Sequence, residues 1–420
     1  MRGNLLERHL VDVWRQQRLP TVGLLSENGE EVRIIYPGRP GDGAGPDFAD
    51  AVIECGHRRL TGDVELHIRT SQWYDHGHHR DPTYNRVALH VVVRADFPEP
   101  TRRQDGRTVP VLVVSRYLRA TPRPVGSRPG PNCPGAARHR APEALGRRLD
   151  RAGDERFRAK TARFAADLGH TDPAQVLFQG VMEALGYSRN KAPFLELARR
   201  LPVADLATEG VEPVQARLFG AAGLFPSQRM ARVPVDETTW RLEALWRAGP
   251  PVAPMPSGSW QLLRVRPNNS PLRRMAAMAH LIERYPNLLD GLLGRLPGAP
   301  HRGAGMEMES GLLVSGGGYW AEHQDFASPC PANPTLLGRG RAGEIVVNVL
   351  LPFAAALGRP QAQAIYGTYH RLAPNSVEAH MADQLGIGPR VVNSARRQQG
   401  LLHLYAAFCT RGQCAACRLG

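Results

Sequence analysis

The stretch TGDVELHIRTSQW, residues 61–73, decides how the N-terminal part of the chain is interpreted. In an extended strand, alternate side chains point to opposite faces, so the aliphatic side chains of this stretch share one face. The other face carries Asp63, Glu65, His67 and Arg69. Taken alone, this alternation is typical of a half-buried strand whose polar face meets water. The residues around the stretch give the carboxylate and the imidazole a second interpretation.

The first 118 residues are predicted to form a mixed α/β domain. Residues 4–16 have apolar side chains at helical spacing. Strands are expected at 31–37, 48–54, within the quoted stretch, at 87–95 and at 109–115. The predicted order is a helix, three strands, an irregular or short helical segment, and a buried strand.

A different pattern begins after residue 118. Residues 119–142 are rich in proline, glycine and arginine and are expected to be a linker. Residues 143–420 are predicted to form a mainly helical, basic region that ends in a cysteine cluster. The fold class expected for the whole chain is therefore α+β.

The distribution of charge and the lengths of the apolar stretches limit the kinds of function that this chain is expected to have. The net charge is +14, yet residues 1–100 contain 12 arginines and 15 acidic residues, so the remaining 320 residues carry a net charge of +17. An acidic segment joined to a basic one suits a metal-dependent enzyme that acts on a polyanion. The longest apolar stretch, residues 345–357, is too short to span a bilayer. We expect a cytoplasmic protein without a membrane partner.

The strand contains candidate metal ligands. Asp47 lies just before the strand predicted at 48–54, and Glu65 and His67 lie in the middle of the next strand. Two antiparallel neighbours joined by a turn bring these three side chains together. Oxygen ligands of this kind suit Mg²⁺ or Mn²⁺.

Pro46-Asp47, followed by Glu65-x-His67 in this order of elements, resembles the PD-(D/E)XK phosphodiesterase superfamily of nucleases. The resemblance implies that Asp47 and Glu65 bind divalent ions that polarise a phosphate and activate water. It also implies that His67 replaces the usual lysine and that Glu7 is an additional acidic residue. A histidine is mostly neutral near pH 7, so His67 is expected to ligate metal, to act as a base, or to mark lost catalysis.

The whole chain is also similar to a bacterial family catalogued as a domain of unknown function. The motifs that carry this resemblance are GPDF (45–48), GDVELHIRTSQWYDHGH (62–78), DPTYNRVALHVVV (81–93), RPNNSPLRRMAAMA (266–279) and CTRGQCAACRLG (409–420). This family supplies no reaction.

A histidine-rich segment follows the strand. Seven of the 15 histidines lie in residues 1–100. One interpretation is that His76, His78 and Asp81 complete a divalent metal site with Asp47 and Glu65. The other is a turn in which Asp81 caps the next segment and the imidazoles make ordinary hydrogen bonds. His90, on the following strand, is interpreted as a core histidine.

The C-terminus holds three cysteines with ligand-like spacing, Cys409, Cys414 and Cys417. A fourth ligand is required, and Cys330 is the first choice, with Cys133 and His403 as alternatives. Such a site would hold Zn²⁺ or a [4Fe–4S] cluster in a structural role.

Arginines flank the start of the helix predicted at 271–284 and are candidates for binding a nucleic-acid backbone. They are Arg264, Arg266, Arg273 and Arg274. The alternative is a capped helix with solvated arginines.

The predicted function is a metal-dependent nuclease acting on nucleic acid, with DNA favoured over RNA. The first alternative is a non-catalytic nucleic-acid-binding or scaffold protein that keeps the nuclease-like fold and the structural metal. The second alternative is a hydrolase of a small phosphorylated substrate, which would not need the basic region.

Overall fold

The computed structural model describes residues 2–41, 43, 45–118, 133, 141–207, 209–229, 235–262, 269–316, 318–417 and 419. The chain divides into two compact units. The first comprises Met1–Gly153, Pro374–Asn393 and Arg397–Gly420, and the second comprises Asp154–Ala373 and Ser394–Arg396. Most of the segment predicted as a linker, residues 119–142, lies outside the described residues.

A seven-stranded sheet forms the centre of the first unit. Its strands are β1 (Leu24–Leu25), β2 (Glu31–Tyr36), β3 (Arg39–Pro40), β4 (Phe48–Cys55), β5 (Arg58–Arg69), β6 (Val87–Arg94) and β7 (Val111–Val113). The order is β1-β2-β4-β5-β6-β7, with β3 also paired to β4. The strands β2, β4 and β5 are antiparallel, whereas β5, β6 and β7 are parallel. The strands predicted from the sequence are therefore present, in a mixed sheet.

Helices precede and interrupt this sheet. The first is α1 (Arg2–Arg15), and the crossover from β5 to β6 contains α2 (Gln72–Asp75) and two 3₁₀ helices, His78–Arg80 and Pro82–Arg86. A short α3 (Ser115–Leu118) follows β7. A crossover is required here because β5 and β6 are parallel.

Both faces of β5 are buried. Val64 and Leu66 pack in a core with Leu10 and Trp14 of α1. On the other face Glu65 is 6% exposed and His67 is 1% exposed. The interpretation of β5 as a strand whose polar face meets water is therefore wrong, and buried polar groups need partners.

The second unit is mainly helical. The boundary between the units falls within α4 (Pro142–Leu168). The helices that follow are α5 (Pro173–Leu185), α6 (Lys191–Arg200), α7 (Val203–Leu206), α8 (Val211–Ala221), α9 (Glu237–Ala248), α10 (Pro271–Arg284), α11 (Leu288–Leu293), α12 (Ala304–Leu312), α13 (Tyr319–Glu322), α14 (Arg339–Ile345), α15 (Leu351–Ala356) and α16 (Gln361–Thr368). A π-helix, Val346–Leu350, joins α14 to α15. Short strands β8 (Val314–Ser315), β9 (His323–Asp325), β10 (Ser328–Pro329) and β11 (Thr335–Leu337) form two small sheets.

The C-terminal elements return to the first unit. They are α17 (Ser376–Leu385), most of α18 (Ala395–Ala407) and two 3₁₀ helices, Cys409–Arg411 and Cys414–Ala416. Met381 and Leu401 share a core with Tyr36 and Val52 of the sheet. The sequence predicts one continuous region over residues 143–420. In the structure, the last part of this region packs in a core of the first unit, because apolar side chains distant in the chain are buried together.

Among the described residues, no helix combines the length and the apolar character needed to cross a membrane.

Candidate metal centre

The end of β5 is fixed by a tight set of hydrogen bonds. Gln72 Oε1 accepts from the backbone N–H groups of Ile68 and Arg69, at 3.0 and 2.9 Å. The Asp96 carboxylate accepts from the Thr70 hydroxyl and from the Ser71 backbone N–H, at 3.1 and 3.0 Å. The chain therefore turns sharply after β5, and α2 carries the next histidines back toward Glu65 and His67.

Three histidines converge at this turn. The side chains of His67, His76 and His78 each offer a ring nitrogen, and the three nitrogens lie within 4.8 Å of one another. His67 Nε2 is 3.2 Å from His76 Nδ1. The His78 ring stacks on Tyr84 with 3.8 Å between centroids, and Trp73 contacts its edge. Within the described part of the chain, no other group of three histidine, cysteine or acidic side chains is this close.

The Glu65 carboxylate lies beside two of the three nitrogens. Its Oε1 lies 3.3 Å from His78 Nε2 and 3.5 Å from His67 Nε2. Its Oε2 accepts from the Asp47 backbone N–H at 3.2 Å, and Asp47 Oδ2 accepts from the Leu66 N–H at 2.9 Å. The pairing of β4 with β5 therefore holds both carboxylates in place.

A second set of contacts supports His67. Its Nδ1 lies 2.9 Å from His90 Nε2, and His90 Nδ1 lies 3.2 Å from Thr101 Oγ1. When His67 donates from Nδ1, its Nε2 lone pair points at the other histidines. A metal-ligating histidine commonly has its second nitrogen held in this way.

Burial keeps the two imidazoles neutral and makes the two carboxyl groups costly to ionise unless a cation is bound. Burial, followed by the nearby His90 ring, lowers the pKa of His67 well below its usual range. Burial lowers the pKa of His78 to about 4. Burial, with a further contribution from Glu7, raises the pKa of Glu65 to about 8. Burial, followed by Glu65, raises the pKa of Asp47 to about 7. Neutral imidazoles are the metal-binding form, and a cation would offset the cost of ionising both carboxyl groups.

The fit of a metal ion can be tested on the structure itself. His78 is 7% exposed, and its Nε2, although 3.3 Å from Glu65 Oε1, has no hydrogen bond of suitable geometry to a described residue. An orphaned buried nitrogen is costly, and a ligand at that position would remove the cost. His76 is exposed, so the group is open to solvent on one side. The donor set fits a divalent transition ion better than Mg²⁺, which prefers oxygen.

The remaining predicted residues of this region have different positions. Glu7 is close enough to raise the pKa of both Asp47 and Glu65. Asp81 caps the 3₁₀ helix Pro82–Arg86 by accepting from the Thr83 N–H at 2.8 Å. It lies outside the histidine group, so the capping interpretation describes its contact.

The cysteines predicted to share one metal site belong to two different units. The thiols of Cys133, Cys414 and Cys417 all interact electrostatically with Cys409 in the first unit. Burial, followed by these neighbours, raises the pKa of Cys409 to about 12. Cys330 belongs to the second unit, where its sulfur lies 3.7 Å from Arg273 Nη1. Within the first unit, the structure therefore places Cys133 beside the C-terminal cysteines.

The predicted arginine cluster is partly structural. Arg264 and Arg266 lie outside the described residues. Arg273 is 1% exposed and donates to the carbonyl of Asn333 at 2.7 Å. Arg274 is 5% exposed and donates to the carbonyl of Leu336 at 2.6 Å. Both guanidinium groups therefore hold the segment before α14 in place.

Sequence reasoning interpreted His90 as a core histidine, and its 0% exposure confirms this, but it did not foresee the contact of His90 with His67 or the part of Thr101. The signal for His90 was available, since it is the single polar residue in the apolar run of β6. The contact of His90 with His67 follows from the register of β5 and β6, in which Glu65 is paired with His90.

Comparison with curated proteins finds no match, and neither does comparison with solved structures. A family model matches residues 7–375, which include the histidine group and both carboxylates. The chain therefore belongs to the family described as "Protein of unknown function (DUF2851)".

Proposed function

We propose that this protein is a metal-dependent phosphodiesterase that acts on nucleic acid, with DNA favoured over RNA. The observation that carries the proposal is the group of three histidine nitrogens, two of which, on His67 and His78, lie 3.5 and 3.3 Å from Glu65 Oε1 of the interior strand β5. Support also comes from element order, because the PD-(D/E)XK resemblance implies a helix, three strands, a helix and a strand, and the main elements follow as α1, β2, β4, β5, α2 and β6.

The metal would be held by His67, His76, His78 and Glu65. Three nitrogens and one oxygen suit Mn²⁺ or Zn²⁺, and Mg²⁺ would have to rely on the Asp47 and Glu65 oxygens. When bound, a divalent ion polarises a phosphate oxygen and makes water a stronger nucleophile at neutral pH.

The chain's own residues define the rest of the site. Glu65 and Asp47 are immobilised by backbone N–H groups, so their oxygens need little reorganisation. His90 orients the ring of His67. Exposed His76 lies where a substrate phosphate has access from solvent. Glu7 keeps the region acidic, and an acidic region needs a cation before a phosphate can approach.

A cleavage assay on matched variants tests the proposal. We expect labelled single- or double-stranded DNA to be cut in the presence of Mn²⁺ or Zn²⁺. Glu65→Gln should lower the rate at least 100-fold, because the anionic ligand is lost while the shape is kept. Glu54→Gln, on the neighbouring strand β4 and paired with Arg33, is the control and should keep the activity.

Two results would redirect the proposal. Cleavage that survives Glu65→Gln contradicts the assignment of the site. A folded protein that binds metal and DNA but cuts neither DNA nor RNA supports the non-catalytic alternative, in which His67 marks a lost active site.

We also propose that Cys409, Cys414, Cys417 and Cys133 form a structural site for Zn²⁺ or a [4Fe–4S] cluster. The support is that each thiol of the C-terminal set interacts electrostatically with Cys133. Four thiolates complete the coordination of either cofactor. Elemental analysis of the purified protein tests this second site.

A further inference from the structure

We infer that the second unit contains a binding cavity for a phosphate monoester, formed between α10 and the start of α14. The cavity has a volume of about 640 Å³, and its wall contains Arg274, Arg339 and Arg341 with Tyr187, Asn269 and Asn333. No carboxylate lines it. The inference is independent of the histidine centre, which belongs to the first unit.

The guanidinium groups have no carboxylate partner, although Arg274 donates to the Leu336 carbonyl and to Asn269 Oδ1 and Arg341 donates to the Ala184 carbonyl. No described residue forms an ion pair with Arg274, Arg339 or Arg341 at 4.0 Å or less. Arg274 is 5% exposed, and its Nε makes no hydrogen bond to any described residue. The same holds for Arg341 Nε. Arg274 is buried, Arg341 is half-buried and Arg339 is exposed. A buried cation without a counter-ion is costly, and a bound anion would lower the cost for Arg274.

The nearest acidic side chain does not fill this role. Glu344, one turn along α14 from Arg341, holds the pKa of Arg341 somewhat higher than burial alone would. Its carboxylate accepts from Asn348 Nδ2 at 2.8 Å and forms no ion pair with Arg341 among the described contacts. Burial lowers the pKa of Arg341 and Arg274 to about 10, so both remain charged at pH 7.

Tyr187 positions two of the three arginines. The Arg341 guanidinium lies 3.0 Å from the centroid of the Tyr187 ring, and that of Arg274 lies 5.6 Å away. Tyr187 adopts a φ of +53°, a left-handed conformation that costs a non-glycine residue energy. The ring therefore holds two like charges at one wall, and an anion bound there would add the counter-charge that neither arginine has.

Size and polarity identify the class of ligand. The volume of this cavity is typical of a small-molecule site. Inorganic phosphate alone would therefore fill only a small fraction of it. The wall also carries Pro331 and Ala332, which offer apolar contact beside the cations. A phosphate esterified to a larger group, such as a nucleoside, uses both features. Its source would be a free mononucleotide or the terminal phosphate of an oligonucleotide.

Calorimetric titration of the full-length protein tests the inference. The probes are thymidine 5′-monophosphate, 5′-phosphorylated octathymidylate and 5′-hydroxyl octathymidylate, in excess chelator so that cleavage does not intervene. The variants are Arg339→Ala, whose side chain is exposed, and Arg341→Gln, with Arg341→Lys as a charge-conserving form. Arg359→Ala, an exposed arginine elsewhere in the second unit, is the control.

We expect a phosphorylated probe to bind the wild type and the control with the same affinity. Arg339→Ala should weaken binding at least threefold and Arg341→Gln at least tenfold, with partial recovery in Arg341→Lys. Tighter binding of the mononucleotide or of the phosphorylated oligonucleotide identifies the source. Binding that is equal for the 5′-hydroxyl probe, absent for both phosphorylated probes, or unchanged in the folded Arg339→Ala variant overturns the inference.

Discussion

His67 and His90 are joined by a 2.9 Å hydrogen bond between Nδ1 and Nε2, inside the sheet and away from solvent. His90 is 0% exposed, and its other nitrogen contacts the Thr101 hydroxyl. The chain Thr101–His90–His67 thus ends at the His67 Nε2 atom that faces His76 and Glu65. Because one nitrogen of His67 is held, the orientation of the other is fixed before any ligand arrives.

His90 is therefore expected to set the metal affinity without touching the metal. His90→Leu should weaken Mn²⁺ or Zn²⁺ binding about 10- to 100-fold, because the ring of His67 loses its support. Titration calorimetry on the purified protein measures the change.

The conservative variant separates this effect from general destabilisation. His90→Gln can still contact His67 Nδ1 and should recover part of the affinity at a similar unfolding temperature. If both variants bind metal as the wild type does, His90 is a core histidine and nothing more.

His76 gives a test of the site at little cost to folding. It is exposed, so His76→Ala should change the free energy of unfolding by less than about 0.5 kcal/mol. Metal affinity should nevertheless fall at least tenfold because one of three nitrogen ligands is lost. His57→Ala, in the exposed turn between β4 and β5, is the matched control. Equal metal binding by both variants would contradict the three-histidine assignment.

Local patterns in the sequence predicted much of the fold. The alternation around Glu65 and the apolar run at β6 gave strands that the structure contains. Asn375 caps α17 by accepting from the Glu378 N–H, and Gly386 ends that helix with a φ of +65°. These features depend on neighbours within a few residues, so the sequence is sufficient for them.

Contacts between distant residues were harder to predict. Cys133 and Cys330 have similar proline-flanked settings, so only the return of the C-terminal elements to the first unit distinguishes them. The burial of Arg273 depends on carbonyls about 60 residues away, which no local pattern reveals. The His67–His90 bond required the parallel register of β5 and β6.

The cysteine assignment leads to a paired prediction. Cys133→Ser should remove the metal or cluster from the C-terminal site, because serine does not replace a thiolate ligand. Cys330→Ser should leave the bound metal unchanged, since its sulfur contacts Arg273 in the second unit. Elemental analysis and the visible absorption spectrum of each variant provide the measurement. Loss of metal in Cys330→Ser with retention in Cys133→Ser would restore the original first choice.

His380 makes the stability of the first unit depend on pH. Tyr36 Oη lies 2.7 Å from His380 Nε2, and burial, followed by Arg39, lowers the pKa of His380 to about 4. The groups that face it are Arg15, Arg39, Asp383, Gln384 and the Tyr405 ring. The folded state therefore favours the neutral ring.

The sign follows from the lowered pKa. Above pH 6.5, the pKa of the unfolded state, His380 is neutral in both states and does not change the free energy of unfolding. As the pH falls from 6.5 toward 4, the unfolded state binds the proton more readily than the folded state, so the protein becomes less stable. Stability should fall over that window by on the order of 2 to 3 kcal/mol, at about 1.4 kcal/mol for each pKa unit. Denaturant unfolding at several pH values measures it. In His380→Gln this part of the slope should disappear while other carboxyl-dependent changes remain, and an unchanged slope would show that His380 does not control the transition.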